Sequence, residues 1–281
     1  MLLKMNKLLK KILITSPLII AASAAFVACV NVKEVKPEDP IKDPVLGKPD
    51  ELGVVETITN AAFSNKNSTQ LATFKRNQLT NTSWIDDYNS LVKKRNGSVD
   101  ENEKKLINMK LDKLIQANWY WILKNTNKLK WKFYTTYTFP KNEKGYQVFS
   151  EKYLKEIERV NNDETVKALT FTSTLKEPSG YSLIDDTETS RGNYYLNLDD
   201  HYFFYFSFKK NSSDDTISLV PRLYRFEKDQ EPSYKLLSIS WHNVLLHANS
   251  KSFVEQGTLD FETLTFNNGP LLMFQLEEIT K

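Results

Sequence analysis

The chain has three histidines, the side chains most often used for metal binding and for proton transfer near neutral pH. Two of them, His242 and His247, lie five residues apart in the segment WHNVLLH. On an α-helix a spacing of five points the two rings in different directions, and on a strand it places them on opposite faces. The zinc-protease pattern H-E-x-x-H is absent. The third histidine, His201, stands apart, and we therefore expect no metal site.

Nucleophilic and phosphate-binding patterns are also missing. No serine stands in a G-x-S-x-G string, and neither G-x-G-x-x-G nor the P-loop string occurs in a chain with only eight glycines. Four pairs of adjacent aspartates could in principle supply the two carboxylates of a glycosidase, but such pairs in polar segments are typical of solvated turns. These pairs are Asp86-Asp87, Asp185-Asp186, Asp199-Asp200 and Asp214-Asp215. The sequence thus predicts no catalytic residue, no enzyme activity and no cofactor.

The remaining reactive side chain is Cys29, the single cysteine among 281 residues. Ahead of it, a basic segment with four lysines is followed by the uncharged, mostly apolar residues 12–28. This order is typical of an export signal. At 17 residues the apolar run is at the short limit for crossing a bilayer, so an uncleaved membrane anchor stays open as an alternative.

The residues before Cys29 indicate what happens to its thiol. Phe26, Val27 and Ala28 resemble the lipobox of bacterial lipoproteins, although Phe26 replaces the usual leucine. That resemblance implies a diacylglyceryl group on Cys29 and cleavage after Ala28. A lone thiol in an exported protein has no disulfide partner, and lipidation removes this oddity. We therefore predict a signal peptide at residues 1–28 and a protein held on the extracellular face of the cell membrane by two acyl chains. An incidental cysteine is the other alternative.

The charge of the mature chain argues against a nucleic-acid partner. The formal net charge is +3, but removing the four signal lysines leaves 34 basic and 35 acidic residues. No large basic field then remains to bind phosphates by releasing counterions. Only six of the basic residues are arginine, the side chain that grips phosphate with two parallel hydrogen bonds.

Residues 29–50 are predicted to be a flexible tether. Prolines at positions 37, 40, 44 and 49 recur among lysines and acids, a composition that cannot build a core and favours an extended chain. About 20 residues at roughly 3 Å each could hold a domain about 60 Å from the lipid.

The first part of the remaining chain predicts helices. Residues 50–63 have helical apolar spacing, Ser83 stands where a helix over 84–92 would begin, and Gly97 stands where it would stop. Ser98 and Glu101 match a capping box. After them, apolar residues repeat with helical period to about position 127.

The later part predicts mainly strands. Residues 131–139 alternate aromatic and polar side chains, and residues 146–160 form one more amphipathic helix. The segment NYYLNLDDHYFFYFSF predicts one or two strands with Asp199-Asp200 as a possible turn. Its even positions from 194 to 208 form an apolar face that only Asp200 interrupts. Further strands are predicted at residues 169–171, 217–226, 234–246, 258–266 and 271–279. Pro221 restricts its strand to an edge or a bulge. The fold class is α+β with a mostly antiparallel sheet, in a single extracellular domain at 51–281 that is helical over 51–128 and mainly β over 129–281.

Two aromatic strings resemble those of a known family. The segments NWYWILKN, residues 118–125, and WKFY, residues 131–134, are similar to the motif region of the aromatic cluster surface proteins of mycoplasmas. The resemblance implies an exposed surface lipoprotein of a wall-less bacterium and supplies no catalytic residue.

The aromatic residues allow two interpretations. Most fall at core positions of helices and strands, where each ring removes about 150–250 Å² from water. The alternative is that rings off the periodic faces stay exposed and contact a host glycan or extracellular protein. The candidates for such ligand contact are Trp119, Tyr120, Tyr134, Phe203 and Tyr205.

These observations favour a lipid-anchored surface protein that acts in binding, adhesion or antigenic display. A solute-binding lipoprotein of a transporter would share the anchor and tether, but its usual two parallel α/β lobes disagree with the predicted order of elements. A surface hydrolase is the third hypothesis, supported only because nothing in the sequence excludes it.

Overall fold

The computed structural model describes residues 52–64, 67–199, 201–209, 217–228 and 232–281. The predicted signal peptide, Cys29 and the tether lie outside these residues. So do Asp200, Asp214 and Asp215.

The strands of the described residues form one antiparallel sheet in the order β2-β1-β7-β6-β5-β4-β3. They are β1 Leu129–Thr136, β2 Thr170–Phe171, β3 Gly180–Asp186, β4 Arg191–Asn197, β5 Phe203–Lys209, β6 Ile217–Phe226 and β7 Leu271–Ile279. From β3 to β6 each strand pairs with the next along the chain, and β7 fits between β6 and β1. Helices precede this sheet, so the predicted α+β class is confirmed.

The amino-terminal helices cover one face of the sheet. They are α1 Val54–Ala62, α2 Ser68–Thr80, α3 Trp84–Gly97, α4 Glu101–Ala117 and the short α5 Trp119–Lys124, followed by a 3₁₀ turn, Thr126–Lys128. Their buried positions recur at helical spacing, as in α4, where Ile107, Leu111 and Ile115 face inward. They share a core, here called the first core, with the apolar side chains at even positions of the β4–β5 hairpin, Tyr194, Leu196, Leu198, Tyr202, Phe204, Phe206 and Phe208.

The helix termini differ from the sequence expectations in three places. The capping box predicted at Ser98 is wrong. Helix α4 begins after Asp100, whose carboxylate accepts a hydrogen bond from the backbone N–H of Asn102, while the Ser98 hydroxyl donates to the Glu103 carboxylate. The long helix to about 127 is interrupted at Asn118, whose side-chain amide donates to the Leu114 carbonyl and ends α4. Helix α2 was not predicted, and an Asn67–Gln70 capping box begins it.

The opposite face of the sheet is covered by helices from the second half of the chain. These are α6 Glu151–Asn162, α8 Tyr234–Trp241 with a following π turn, His242–Leu246, and α9 Lys251–Asn268. A short α7, Glu164–Lys167, follows α6. The second core includes Tyr195, Phe203 and Tyr205 from the odd positions of the hairpin, with Trp241 and Phe261 from the helices. The sheet thus lies between two helical layers.

Two predicted strands, 234–246 and 258–266, are wrong, since both segments are helical. The alternation of serine with apolar residues in LSISW suggested one exposed face, yet Ser238 and Ser240 are fully buried. The Ser240 hydroxyl donates to the Leu236 carbonyl, which satisfies it inside the helix. In α9 the threonine hydroxyls also donate to carbonyls of their own helix, as Thr258 does to the Val254 carbonyl at 2.8 Å. Residues 129–281 are therefore less dominated by strands than predicted.

The hairpin prediction for residues 194–208 is confirmed. Tyr195 pairs with Tyr205 and Tyr194 with Phe206, and the chain turns between β4 and β5 where Asp199 stands. In β4 and β5 almost every position is buried, because helices cover both faces of the sheet.

Pro221 lies in an irregularity of an interior strand. Residues 220–222 of β6 stand between the pairs Leu219–Phe206 and Leu223–Phe204, opposite Tyr205 alone. The bulge removes the need for a ladder hydrogen bond from the proline, so the bulge alternative is confirmed and the edge alternative is not.

Candidate functional site

Four of the five rings that were candidates for exposure are buried, so the exposed interpretation is wrong for them. The exposed fraction is 4% for Trp119, 2% for Tyr120, 0% for Phe203 and 1% for Tyr205. In each case a helix that was missed, or interpreted as a strand, covers the ring.

Helix α2 covers the first two of these rings. Phe74 of α2 stacks on Trp119 with 5.5 Å between ring centroids. The ring centroid of Phe206, from the sheet, lies 5.0 Å from that of Trp119. The Tyr120 hydroxyl donates to Glu56 of α1.

Helix α8 covers the other two. Tyr234 meets Phe203 edge-on at 5.1 Å, and Trp241 meets Tyr205 edge-on at 5.4 Å. The Tyr205 hydroxyl donates to the Asn193 amide oxygen at 2.6 Å. These rings contribute to the stability of the domain and offer no contact surface.

Tyr134 is the exposed candidate ring, with 48% of its surface accessible. It is the extra residue of a bulge in β1, between the pairs Phe133–Phe274 and Thr135–Met273. Bulges re-aim side chains relative to the regular pleat. The Arg222 guanidinium lies 5.8 Å from the centre of the Tyr134 ring and is itself held by Asp112 at 3.0 Å. One side of the ring therefore contacts a fixed cation.

An open groove of about 430 Å³ runs beside Tyr134, lined also by Lys132, Thr135, Asn161 and Lys167. Asn161 holds α6 against β1, since its amide accepts the Thr136 backbone N–H at 3.0 Å and donates to the Thr136 hydroxyl at 3.0 Å. Lys167 pairs with Glu164 at 2.9 Å. Within the described residues Lys132 has no ion pair. We call this the Tyr134 groove, and its chemistry is an exposed ring beside a cation that is available to a ligand.

A second groove, of about 270 Å³, lies between α6 and α9 beneath Phe266. The Phe266 ring is 65% exposed, and the Lys152 ammonium lies 4.4 Å from its centre. Arg159 donates to both oxygens of Glu227 at 2.7 and 2.9 Å. Arg159 and Glu227 therefore neutralise each other. Sequence reasoning missed Phe266 because the strand predicted for 258–266 gave it no distinctive position.

The histidine pair behaves differently from the sequence expectation. His242 begins the π turn and His247 follows it directly, and their ring centroids are 4.6 Å apart. A π turn closes between residues five apart, so it stacks positions that an α-helix separates. Glu188, from the turn between β3 and β4, joins them, its carboxylate 3.9 Å from His242 and 3.8 Å from His247. The sequence carried no signal for Glu188.

The aromatic content of the chain finds a counterpart among known proteins. The family model for aromatic cluster surface proteins matches residues 52–263. The chain belongs to the aromatic cluster surface protein family. This range contains both aromatic strings, NWYWILKN and WKFY. The family resemblance inferred from those strings is thereby confirmed, and the protein is a surface protein with an aromatic cluster.

Two further comparisons found nothing: no curated protein and no solved structure matches the chain. Among the helices of the described residues, none has the length and apolar character needed to span a membrane.

Proposed function

We propose that this family member is a lipid-anchored protein of the outer cell surface that binds a host glycan or extracellular protein and catalyses no reaction. Membership of a surface-protein family is the observation that carries the proposal. The lipobox-like residues 26–29 and the proline-rich residues after them support the anchor and the tether.

The Tyr134 groove is the binding surface that the geometry favours. Tyr134 is a half-exposed ring placed by a bulge, and the neighbouring Lys132 projects from the exposed face of β1. A sugar ring or a flat side chain of a protein could stack on the tyrosine, while the lysine would meet a carboxylate, sulfate or hydroxyl group. The groove beneath Phe266 is a weaker candidate because it is smaller, about 270 Å³, and because its Arg159 and Glu227 already pair.

The described architecture disfavours the solute-binding alternative. Such proteins place a cleft between two parallel α/β lobes, whereas every strand pair of the described sheet is antiparallel. The hydrolase alternative has no specific support.

The anchor is tested by following the fate of Cys29. We expect the full chain, expressed in a bacterium that processes lipoproteins, to partition into the detergent phase and to have a mature mass that begins at a diacylated Cys29. A Cys29→Ser variant should lose the lipid and keep the leader. Finding the leader attached, or the sulfur unmodified, in the natural chain would reject the lipid anchor.

The binding surface is tested with substitutions in each of the two grooves. Tyr134→Ala and Lys132→Glu are expected to reduce binding of the Cys29→Ser chain, purified in detergent, to glycan arrays and immobilised extracellular matrix proteins. Phe266→Ala is the matched control, since it also removes an exposed ring but lies in the other groove. Binding that depends on Phe266 and not on Tyr134 would assign the surface to the second groove, and binding to no ligand would leave the proposal without support.

A further inference from the structure

The cluster of Glu188, His242 and His247 joins two elements that are far apart in the chain. Glu188 lies in the four-residue connection between β3 and β4, which pair up to Asp186–Arg191. The two histidines come from the π turn that follows α8. Both elements are held by their own packing, so the three side chains meet without depending on a mobile loop.

The turn that carries Glu188 is fixed by Asp186. One carboxylate oxygen of Asp186 accepts the backbone N–H groups of Glu188 at 3.0 Å and of Thr189 at 3.1 Å, and the other accepts the Thr189 hydroxyl. Ser190 closes the turn with a positive φ of 55°. The backbone position of Glu188 is therefore set before any ligand binds.

The π turn is fixed by its contact with α9. At Gly257 a Cβ would lie 2.7 Å from the Asn243 Cβ and 2.9 Å from the Ser240 carbonyl oxygen, so the two segments approach as closely as a glycine allows. His247 also stacks on Phe253 of α9 at 4.4 Å. Both histidine positions are therefore held by the same helix.

The spacing of the three ligand atoms is close to that of a metal site. One atom from each residue lies within 4.8 Å of the others, and the two carboxylate–imidazole distances are 3.8 and 3.9 Å. Bonds of about 2.0–2.1 Å at tetrahedral angles require about 3.3 Å between ligand atoms. The two carboxylate distances exceed this value by about 0.5 Å, which rotation of the flexible Glu188 side chain, 55% exposed, can close. The two imidazole nitrogens are up to 4.8 Å apart, so the His247 ring, 28% exposed, must also turn toward His242.

The charges of the cluster also suit a metal. The carboxylate supplies a negative charge that partly offsets the charge of a divalent cation.

We propose that Glu188, His242 and His247 bind a divalent transition-metal ion of the zinc type. Two imidazoles and one carboxylate are a common ligand set for such ions, and they leave a further coordination position for water or for a group from a partner. His247 is 28% exposed, so the ion reaches the site from solvent. The bound ion links the β3–β4 turn to the helical layer on the second face of the sheet.

The experiment is a Zn²⁺ titration of the full chain, purified in detergent with Cys29→Ser in every sample to remove the thiol, a competing zinc ligand. Calorimetry should show one ion bound per chain, the melting temperature should rise with Zn²⁺, and Co²⁺ should give visible absorption bands from the same site. His247→Ala and Glu188→Gln, both at accessible positions, should each weaken Zn²⁺ binding by more than the roughly 10–100-fold that loss of an outer-shell partner costs.

The matched control is His201→Asn, which removes the remaining histidine at the opposite end of β4, about 23 Å away along a seven-residue strand. Asparagine also tolerates the positive φ of 66° at that position. This variant should bind Zn²⁺ like the parent chain. The proposal is overturned if the parent chain binds no Zn²⁺, if the two cluster variants bind as the parent does while their circular dichroism is unchanged, or if His201→Asn abolishes binding.

Discussion

Glu56 is the residue on which the contacts of the amino-terminal helices converge. Its carboxylate accepts hydrogen bonds from Lys75 of α2 and Tyr120 of α5, and Lys124 lies 3.6 Å away while bridging to Glu177 at 3.0 Å. Burial alone would raise the pKa of Glu56, but the hydrogen bonds from Lys75 and Tyr120 outweigh it and hold the pKa below its ordinary value of 4.5. The carboxylate therefore joins α1, α2 and α5 in its charged form.

We expect Glu56→Gln to lower the free energy of unfolding at pH 7 by about 1 kcal/mol, a value reduced by solvent screening at this partly exposed pair. Because the folded pKa is depressed, this contribution is fully present above pH 4.5, the value of the unfolded chain, and is lost as the pH falls through the lower folded pKa. Urea denaturation between pH 3 and pH 7 measures the difference from the parent chain, which should shrink on the acid side.

Glu101→Gln is the matched control for this prediction. Glu101 also pairs with a lysine, Lys104 at 2.7 Å, but it is 83% exposed. Its loss should change the stability by less than about 0.5 kcal/mol. An equal effect of the two substitutions would mean that Glu56 is no more than a surface charge.

At the scale of elements, α9 and the π turn approach each other closely beside the second core. Glycine normally weakens the middle of a helix by about 1 kcal/mol relative to alanine. Gly257 is retained where the Asn243 Cβ and the Ser240 carbonyl leave no room for a side chain. The packing requirement outweighs the helix preference here.

Gly257→Ala is expected to destabilise the protein by about 1–3 kcal/mol, because the new methyl group forces α9 away from the π turn. The measurement is the urea midpoint with an unchanged slope. Gly97→Ala is the contrasting variant: nothing lies within 4 Å of a Cβ added at this helical position, so a gain of about 0.5–1 kcal/mol is expected. Loss of stability at Gly97, or gain at Gly257, would contradict the packing argument.

At the scale of the whole molecule, the two cores share a single sheet. Phe206 and Phe203 lie three residues apart on β5, yet Phe206 belongs to the first core and Phe203 to the second. Neither helical layer has another surface on which to bury its apolar side chains within the described residues. Loss of one core therefore exposes the other, and the two should unfold together.

Trp241 provides a way to test this cooperativity. It is the tryptophan of the second core, whereas Trp84, Trp119, Trp121 and Trp131 lie in the first. In a Trp241→Phe background, fluorescence reports on the first core. Phe203→Ala, in the second core, should still lower the free energy of unfolding measured by this fluorescence by about 3–5 kcal/mol. Phe206→Ala, in the first core itself, should lower it by a similar amount. If Phe203→Ala leaves the midpoint of this fluorescence transition unchanged, the two cores unfold separately.

The sequence was most informative for elements that bury one face and expose the other. The helical spacing in α3 and α4 predicted their inner faces, and the even positions of the 194–208 hairpin predicted the face toward the first core. It failed where burial surrounds an element. The serines of α8 were interpreted as an exposed face. In the fold Ser240 bonds to the Leu236 carbonyl of its own helix, and Ser238 bonds to the Tyr195 hydroxyl of the sheet. Because α8 was interpreted as a strand, no helix was expected over Phe203 and Tyr205, and both rings were considered candidates for exposure.

Local residue order by itself determined the helix-then-sheet architecture, the hairpin and the family membership, because hydrophobic period and turn residues act over short stretches of chain. Tertiary structure alone decided which aromatic rings reach solvent and which side chains meet Glu188. Both depend on contacts between segments tens of residues apart, which no local pattern encodes. The π turn shows this most directly, since a spacing of five separates two histidines in an α-helix and brings them together in the π turn that packs against Gly257 of α9.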